Sequence, residues 1–412
     1  DDNTAFMLAA KHNTNEKVIQ YLCDTFKDTI DINIQDNQGN TVFMLAAQYN
    51  TNVKVIQYLC DTFKDTIDLS KQIHRLLTYA AWKNTNEQII QYVCDTFKDI
   101  IDINQQTNYG NTALMLAAQY NTNEKVIQYL CTIFRNTINI NIQDNQGNNA
   151  FMLAVWKNTN IAIIQCLYDT FKDTIDINKQ YKSDRNTVLM LAIQGNTNDK
   201  IIQYLCDIYK NTIDINQQNN DGETVLILAI KNNRSVEIIQ YLCETFKNTI
   251  NPNKQDDDGN TVFMLVAQYC KNIEIIQYLY DTFKDIIDIN QQNNDGNTTF
   301  MLAAWENNNI KVLQYLYNTF NNNIDINKEN NNGETAFMLA AKRNKNIKII
   351  QYLFTTFQNT ININKKDNDG NTIFMLVTQY NTHKVIQYLF DTFKDSIGDI
   401  NKQNNHGFTI LM

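Results

Sequence analysis

The chain is poor in the residues that reactive sites need. Histidine occurs four times in 412 residues, as His12, His74, His383 and His406, far apart along the sequence. A Ser–His or Cys–His nucleophilic pair requires hydrogen-bond reach, and residues so separated do not supply it. No Cys-x-x-Cys pair or Cys/His cluster is present, which argues against zinc. No glycine run suits the cradling of a phosphate. The net charge is −9 with no basic tract, whereas a nucleic-acid binder sets clustered Lys and Arg against phosphates. No apolar run approaches the roughly 18 residues of a membrane span, and no basic-then-apolar leader opens the chain. Nucleic acid and membrane insertion are therefore not expected, and neither is a catalytic residue, a metal ligand or a cofactor.

What is present is repetition. Charged residues make up only 19%, below the usual share, and Asn, Gln, Thr and Ile fill the difference. Gly39, Gly110, Gly147, Gly222, Gly259, Gly296, Gly333, Gly370 and Gly407 stand 37 residues apart or near a multiple of it. One unit reads GNTVFMLAAQYNTNVKVIQYLCDTFKDTIDL, from Gly39 to Leu69. Thr41 suits a helix N-cap before the apolar segment Val42 to Ala47. The polar run Tyr49-Asn50-Thr51-Asn52 ends that helix, and a second is expected from about Val53 to Lys64. At 100° per residue, Val18, Ile19, Leu22, Phe26 and Ile30 share one face, opposite Gln20, Asp24, Lys27 and Asp28. The Asn/Asp/Gly-rich remainder, Asp31 through Gly39, reads as an extended turn. Each unit is thus helix, turn, helix and a protruding finger.

Two units break the register. Ser70 to Thr78 has lost three residues and its Gly. A shortened finger bearing His74 and Arg75 is expected there, with a notch or bend. Further on, Tyr181-Lys182-Ser183-Asp184-Arg185 replaces the usual turn.

Gly-x-Thr-x-[Phe/Leu]-x-Leu-Ala-Ala, then Lys-Val-Ile-Gln-Tyr-Leu and Asp-Ile-Asn, resembles the ankyrin repeat over the whole chain. The resemblance implies an all-α, helix-turn-helix solenoid with finger turns, about eleven repeats in a curved superhelix. Read so, residues 1–412 form one continuous array. Its units start near residues 2, 39, 73, 110, 147, 185, 222, 259, 296, 333 and 370, with a partial unit from 407. At roughly 10 Å per unit the array extends about 110 Å. The unit is about four residues longer than the family's 33, mainly around Asp-Thr-Phe-Lys-Asp. The family's Thr-Pro-Leu-His becomes Thr-[Val/Ala]-Phe-Met, and the sole proline is Pro252. All ten Met, from Met7 to Met412, take the family's His position, so a packed thioether column is expected in place of a hydrogen-bonding one. The chain begins at Asp1 within a unit and ends at Met412 within another, without polar capping repeats. The expectation is a segment of a longer protein.

Cys23, Cys60, Cys94, Cys131, Cys206 and Cys243 share one repeat position. Helices 8–10 Å apart exceed the Cα spacing of about 7 Å that a disulfide tolerates, so buried, reduced thiols are expected. The Tyr column (Tyr21, Tyr58, Tyr92 and onward) flanks the apolar face on the side opposite the Cys column, and Cys166 and Tyr168 trade places, as a volume-conserving interface allows. Tyr and Cys are read as partners between successive second helices, the alternative being an exposed Tyr stripe. Carboxylates such as Asp24, Asp28 and Asp31 recur on every unit, which marks solvated surface. The Asp-rich finger tips lack the ligand spacing of a calcium loop.

One pair varies from unit to unit, at the end of the first helix. It reads Lys11-His12, Gln48-Tyr49, Trp82-Lys83, Gln119-Tyr120, Trp156-Lys157, Gln194-Gly195, Lys231-Asn232, Gln268-Tyr269, Trp305-Glu306, Lys342-Arg343 and Gln379-Tyr380. All three Trp lie in this column. The resemblance implies that these positions line a concave face and change with the partner, and large aromatics anchor interfaces. The candidate partner-binding residues are Tyr49, Trp82, Lys83, Tyr120, Trp156, Lys157, Tyr269, Trp305 and Tyr380. The opposing reading lays these rings flat over their own helix ends.

The expected role is a non-catalytic protein–protein interaction scaffold for a protein partner, one that is repetitive or extended. The alternative is self-association, with head-to-tail contacts that do not close giving filaments. A third reading makes the array the recognition arm of an enzyme encoded elsewhere in a longer chain. Unpaired thiols favour a reducing, cytoplasmic location.

Overall fold

The computed structural model describes residues 3–63, 69–180, 183–320, 323–394 and 400–410. Lys64, Tyr181, Lys182 and Met412, which the sequence reading used, lie outside them. The described residues hold 22 helices in eleven pairs, and one isolated bridge between Lys366 and Thr372 is their only extended pairing. First helices have seven or eight residues, except one of fifteen, and second helices have ten or eleven. By contacts the chain forms two compact blocks, 1–212 with repeats one to six and 213–412 with repeats seven to eleven.

In repeat two the first helix is Val42–Tyr49 and the second Val53–Phe63. The first is apolar nearly all round because it is covered on both sides, and Val42 through Gln48 are all buried. The second is amphipathic, burying Val55, Ile56, Leu59, Cys60 and Phe63. The isoleucine of Asp-Ile-Asn also belongs to the core. Ile32, Ile103, Ile140, Ile177 and Ile215 are at most 4% exposed and anchor the base of each finger.

Thr112, Thr187, Thr224, Thr261, Thr298 and Thr335 accept a hydrogen bond from the backbone N–H three residues on, as N-caps do. Thr41, the position from which this cap was read, is an exception. It is fully buried and its hydroxyl has no partner among the described residues. The Met column differs from expectation too. Backbone N–H groups of Thr112, Asn149, Thr187, Thr261 and Thr298 donate to the sulfurs of Met115, Met152, Met190, Met264 and Met301 at 3.3–3.5 Å. The thioether packs, yet it also closes a capping box from the place where Glu or Gln normally does.

Asparagine stitches eight of the repeats to the one before, within each block. In the turn between helices, Asn121 Nδ2 donates to Ala81 O at 2.8 Å and to Asn84 O at 2.9 Å. These are carbonyls at the C-terminal end of the preceding first helix, which no intrahelical donor reaches. Asn50, Asn84, Asn158, Asn196, Asn307, Asn344 and Asn381 do the same. A second ladder joins the finger tips. Asn145 donates through its backbone to Tyr109 O and through its side chain to Asn108 O, and Asn294, Asn331, Asn368 and Asn405 repeat the side-chain bond. Gly110 permits the approach. It has φ +80, and a Cβ there would stand 2.6 Å from Asn145 N.

The shortened finger of repeat three is not a finger. Leu69–Lys83 is one continuous helix, with Ile73, Leu76 and Leu77 buried. The missing glycine removes the left-handed residue that would break the chain there, and the apolar residues carry the helix on. Arg75 then takes the tip asparagine's place, donating from Nη2 to Gln38 O at 3.2 Å. In repeat six Arg185 stands at the turn with φ 55, and its guanidinium holds Gln180 Oε1 at 2.9 and 3.2 Å.

Candidate functional site

The variable pairs sit where the first helix runs out, so the second residue of each pair projects past the last covered turn. Tyr49, Tyr120, Tyr269 and Tyr380 are 40–51% exposed. Trp82, Trp156 and Trp305 are half-buried, and Lys83 and Lys157 are exposed.

In the N-terminal block four candidates converge. Trp82 lies 5.9 Å from Tyr120 and 6.3 Å from Tyr79 between ring centroids. Lys83 Nζ sits 4.5 Å from the Trp82 ring and 5.4 Å from that of Tyr49, with Tyr49 Oη at 3.4 Å. Lys11 covers Tyr49 from the preceding repeat at 4.5 Å, and Arg75 stacks over Tyr79 at 5.6 Å. Attraction of a cation to a ring face accounts for the Trp-then-Lys pattern. Lys157 likewise sits 4.0 Å over Trp156. Trp156 also covers Gly195 of the next repeat, where an added Cβ would come within 2.0 Å of the indole. For this residue the flat-lying reading holds in part.

The Gln-then-Tyr pattern has its own reason. Gln48 and Gln268 are 5% and 7% exposed, so in these two pairs the first place packs while the second projects, whereas Gln119 is half-buried and Gln379 exposed.

The C-terminal block handles the same positions differently. Lys342 and Arg343 lie over Tyr380 at 5.6 and 5.7 Å. Lys342 also pairs with Glu334 at 2.5 Å, and Lys231 with Glu223 at 2.8 Å and Asp256 at 3.2 Å. Burial alone would lower the Lys231 ammonium, but the two carboxylates hold it above its ordinary value. Among the described residues Trp305 has no ring or cation partner; its neighbour is Glu306.

Tyr269 lines a cleft of about 810 Å³ between the helix turns of repeats seven and eight, with Lys231, Arg234, Lys271 and an apolar floor that includes Ile230 and Ile239. A paired change in sequence opens it. The first helix of repeat seven, Val225–Lys231, closes on itself. Asn233 takes a left-handed conformation with φ 50, its N–H bonds Ile230 O, and Arg234 N–H bonds Ala229 O. That is a Schellman cap. The carbonyls it satisfies need no amide from the next repeat, and there Cys270 stands in the asparagine's place.

The family model described as ankyrin repeats (3 copies) matches residues 1–73, 77–180, 151–256, 244–330, 263–367 and 337–412. The chain belongs to the ankyrin repeat family. No curated protein matches it. Among solved structures it is similar to the ankyrin repeat domain of Bcl-3, described as a unique member of the IkappaB protein family. Identity is 20% over 58% of this chain and 96% of that one, with a TM-score of 0.47.

Ankyrin repeats generally mediate protein–protein interaction, and the fold is typically a non-catalytic scaffold. Among the described residues no group of three His, Cys, Asp or Glu is placed to hold a metal ion, and no helix is long and apolar enough to cross a membrane. The ankyrin array holds most of its thiols protonated, Cys166 excepted, whose hydrogen bond with Cys131 lowers it. Burial pushes Cys60, Cys94, Cys206 and Cys243 up to about 12 and Cys23 to about 11. Tyr92 bonds Cys60 of the repeat before it, and Tyr58 Oη donates to Asp24 at 2.7 Å, so these tyrosines do span successive second helices. Where Cys166 replaces the tyrosine it meets Cys131. The hydrogen bond between them, with burial, pushes the Cys131 thiol up.

The sequence reading missed Lys11, Arg75, Tyr79, Lys342 and Arg343 as members of these clusters. A signal existed, because Lys11 to Tyr49 and Lys342 to Tyr380 are both 38 residues apart, one repeat and one place.

Proposed function

We propose that the chain is a non-catalytic scaffold that binds a protein partner along the ends of its first helices. The principal anchor is the cluster of Tyr49, Trp82, Lys83 and Tyr120. Trp156 with Lys157, Tyr269, Trp305 and Tyr380 are further contact points on the same repeat positions. One observation carries this reading. Large rings remain exposed at the one column whose residues change from repeat to repeat, while the buried columns hardly change. Rings half-covered by their neighbours lose little freedom on binding, which favours them as anchors. The array is read as one continuous run of repeats over residues 1–412, and its free thiols, all buried but Cys166, suit a reducing compartment.

Site-specific photo-crosslinking in a cell extract tests the reading. A crosslinker in place of Tyr120 should capture protein, and one in place of Gln128, exposed on the second helix, should not. Equal capture from both positions would sink it. Mass in solution separates the scaffold from head-to-tail assembly: monomeric particles support the scaffold, and long polymers move the function to the repeat ends.

A further inference from the structure

We propose that the N-terminal block recognises an extended acidic polypeptide segment, with Lys83 and Lys157 each binding a carboxylate beside a tryptophan. This rests on the reading of the variable column as a recognition surface, and it names the class of partner.

The charge at that column runs against the charge of the molecule. The chain carries −9 overall, yet every charged member of the column in the N-terminal block is a lysine: Lys11, Lys83 and Lys157. In the C-terminal block Lys231 and Lys342 are neutralised by Glu223 and Glu334, one residue before the capping threonine of each repeat. The equivalent residues in the N-terminal block are Asn3, Asn40, Asn111, Asn148 and Asn186, which carry no charge, while repeat three, which bears Lys83, runs on as helix and has no such position. Lys83 and Lys157 are exposed and have no carboxylate partner among the described residues.

Both ammonium groups are also held in place. Lys83 rests 4.5 Å over Trp82, and Lys157 4.0 Å over Trp156. A lysine lying on a ring has surrendered part of its rotamer freedom before the partner arrives. Carboxylates, the complementary acceptors, then bind at lower entropic cost. The two lysines are two repeats apart, roughly 16–20 Å at the spacing of packed helices. An extended strand covers that span in about five or six residues. The partner is therefore a segment with acidic residues at about that interval, long enough to pass the exposed ring of Tyr120 between them.

The test uses the full chain and fluorescein-labelled dodecapeptides of Glu/Ser, Ser/Gly and Lys/Ser composition, with an oligothymidylate of equal length, in fluorescence anisotropy at physiological salt. The acidic peptide should bind, and the neutral and basic ones should not. The double variant K83Q/K157Q should weaken it roughly tenfold, as the loss of two charge contacts implies. K98Q, which removes an exposed lysine beyond the end of a second helix and outside the variable column, should leave it unchanged. Both lysines are exposed, so an unchanged thermal melt shows that the double variant is folded. Equal affinity for the neutral peptide, indifference to K83Q/K157Q, or tighter binding of the oligothymidylate would each overturn the proposal. If the acidic preference is absent while a crosslinker at Tyr120 still captures protein, this inference fails and the scaffold reading stands. If neither signal appears, both fail.

Discussion

Asparagine does at eight of the turns what no other side chain of its size does. Its amide reaches back about one repeat and satisfies two carbonyls at a helix end, while its own oxygen accepts the backbone N–H two residues on, as Asn121 does from Asn123. Asn121 is 1% exposed, so its removal leaves two buried acceptors without donors. Asn121→Ala should lower stability by about 2–4 kcal/mol, since each unsatisfied buried group costs about 1–3. Urea denaturation followed by far-ultraviolet circular dichroism measures it, and a loss below about 1 kcal/mol would mean that water replaces the amide. This role was not legible in the sequence. A column of asparagines at turn positions reads equally well as solvated turn, and only the stacking of repeats brings the carbonyls within reach.

At the scale of the element, boundaries followed local chemistry where a stop signal was present and failed where it was absent. Helices end at the Asn after the variable pair and fingers close at Gly, as read. Repeat three lost its Gly, and the helix simply ran on through His74 and Arg75 to Lys83. Repeat seven shows the reverse, with an asparagine adopting the left-handed turn at Asn233. Because that conformation excludes most side chains but suits glycine, Asn233→Gly should be neutral within a few tenths of a kcal/mol. Asn233→Val should destabilise by about 1–2 kcal/mol. Equal effects of the two substitutions in thermal melts would show that the turn rearranges.

The whole molecule adds the same small terms many times over. Cys60, Cys94, Cys206 and Cys243 are held neutral by burial up to about 12, against an ordinary 9.0. Their folded values are raised, so the stability linked to them is fully present below about pH 9. It is lost as pH rises from there toward 12, because only the unfolded chain releases the protons. At about pH 10 the loss is on the order of 1 kcal/mol per thiol. Denaturant midpoints should fall between neutral pH and pH 10, and the fall should shrink in a Cys94→Ala/Cys206→Ala variant. A drop that is undiminished in that variant would assign the effect to other groups.

The sequence by itself determined the repeat, its helix-turn-helix composition, its core face and the column that varies. All of these follow from periodicity and from residues whose preference is local. Tertiary structure decided what each variable residue does. Lys231 and Lys342 are engaged by carboxylates, whereas Lys83 and Lys157 lie on rings with their charge unspent. Lys231 and Lys342 hold the first place of the variable pair and Lys83 and Lys157 the second. Glu223, Glu334, Trp82 and Trp156 are local partners within the same repeat, whereas Asp256, 25 residues on from Lys231, and Tyr49, one repeat away from Lys83, reach these lysines only because the fold brings distant segments to the helix end.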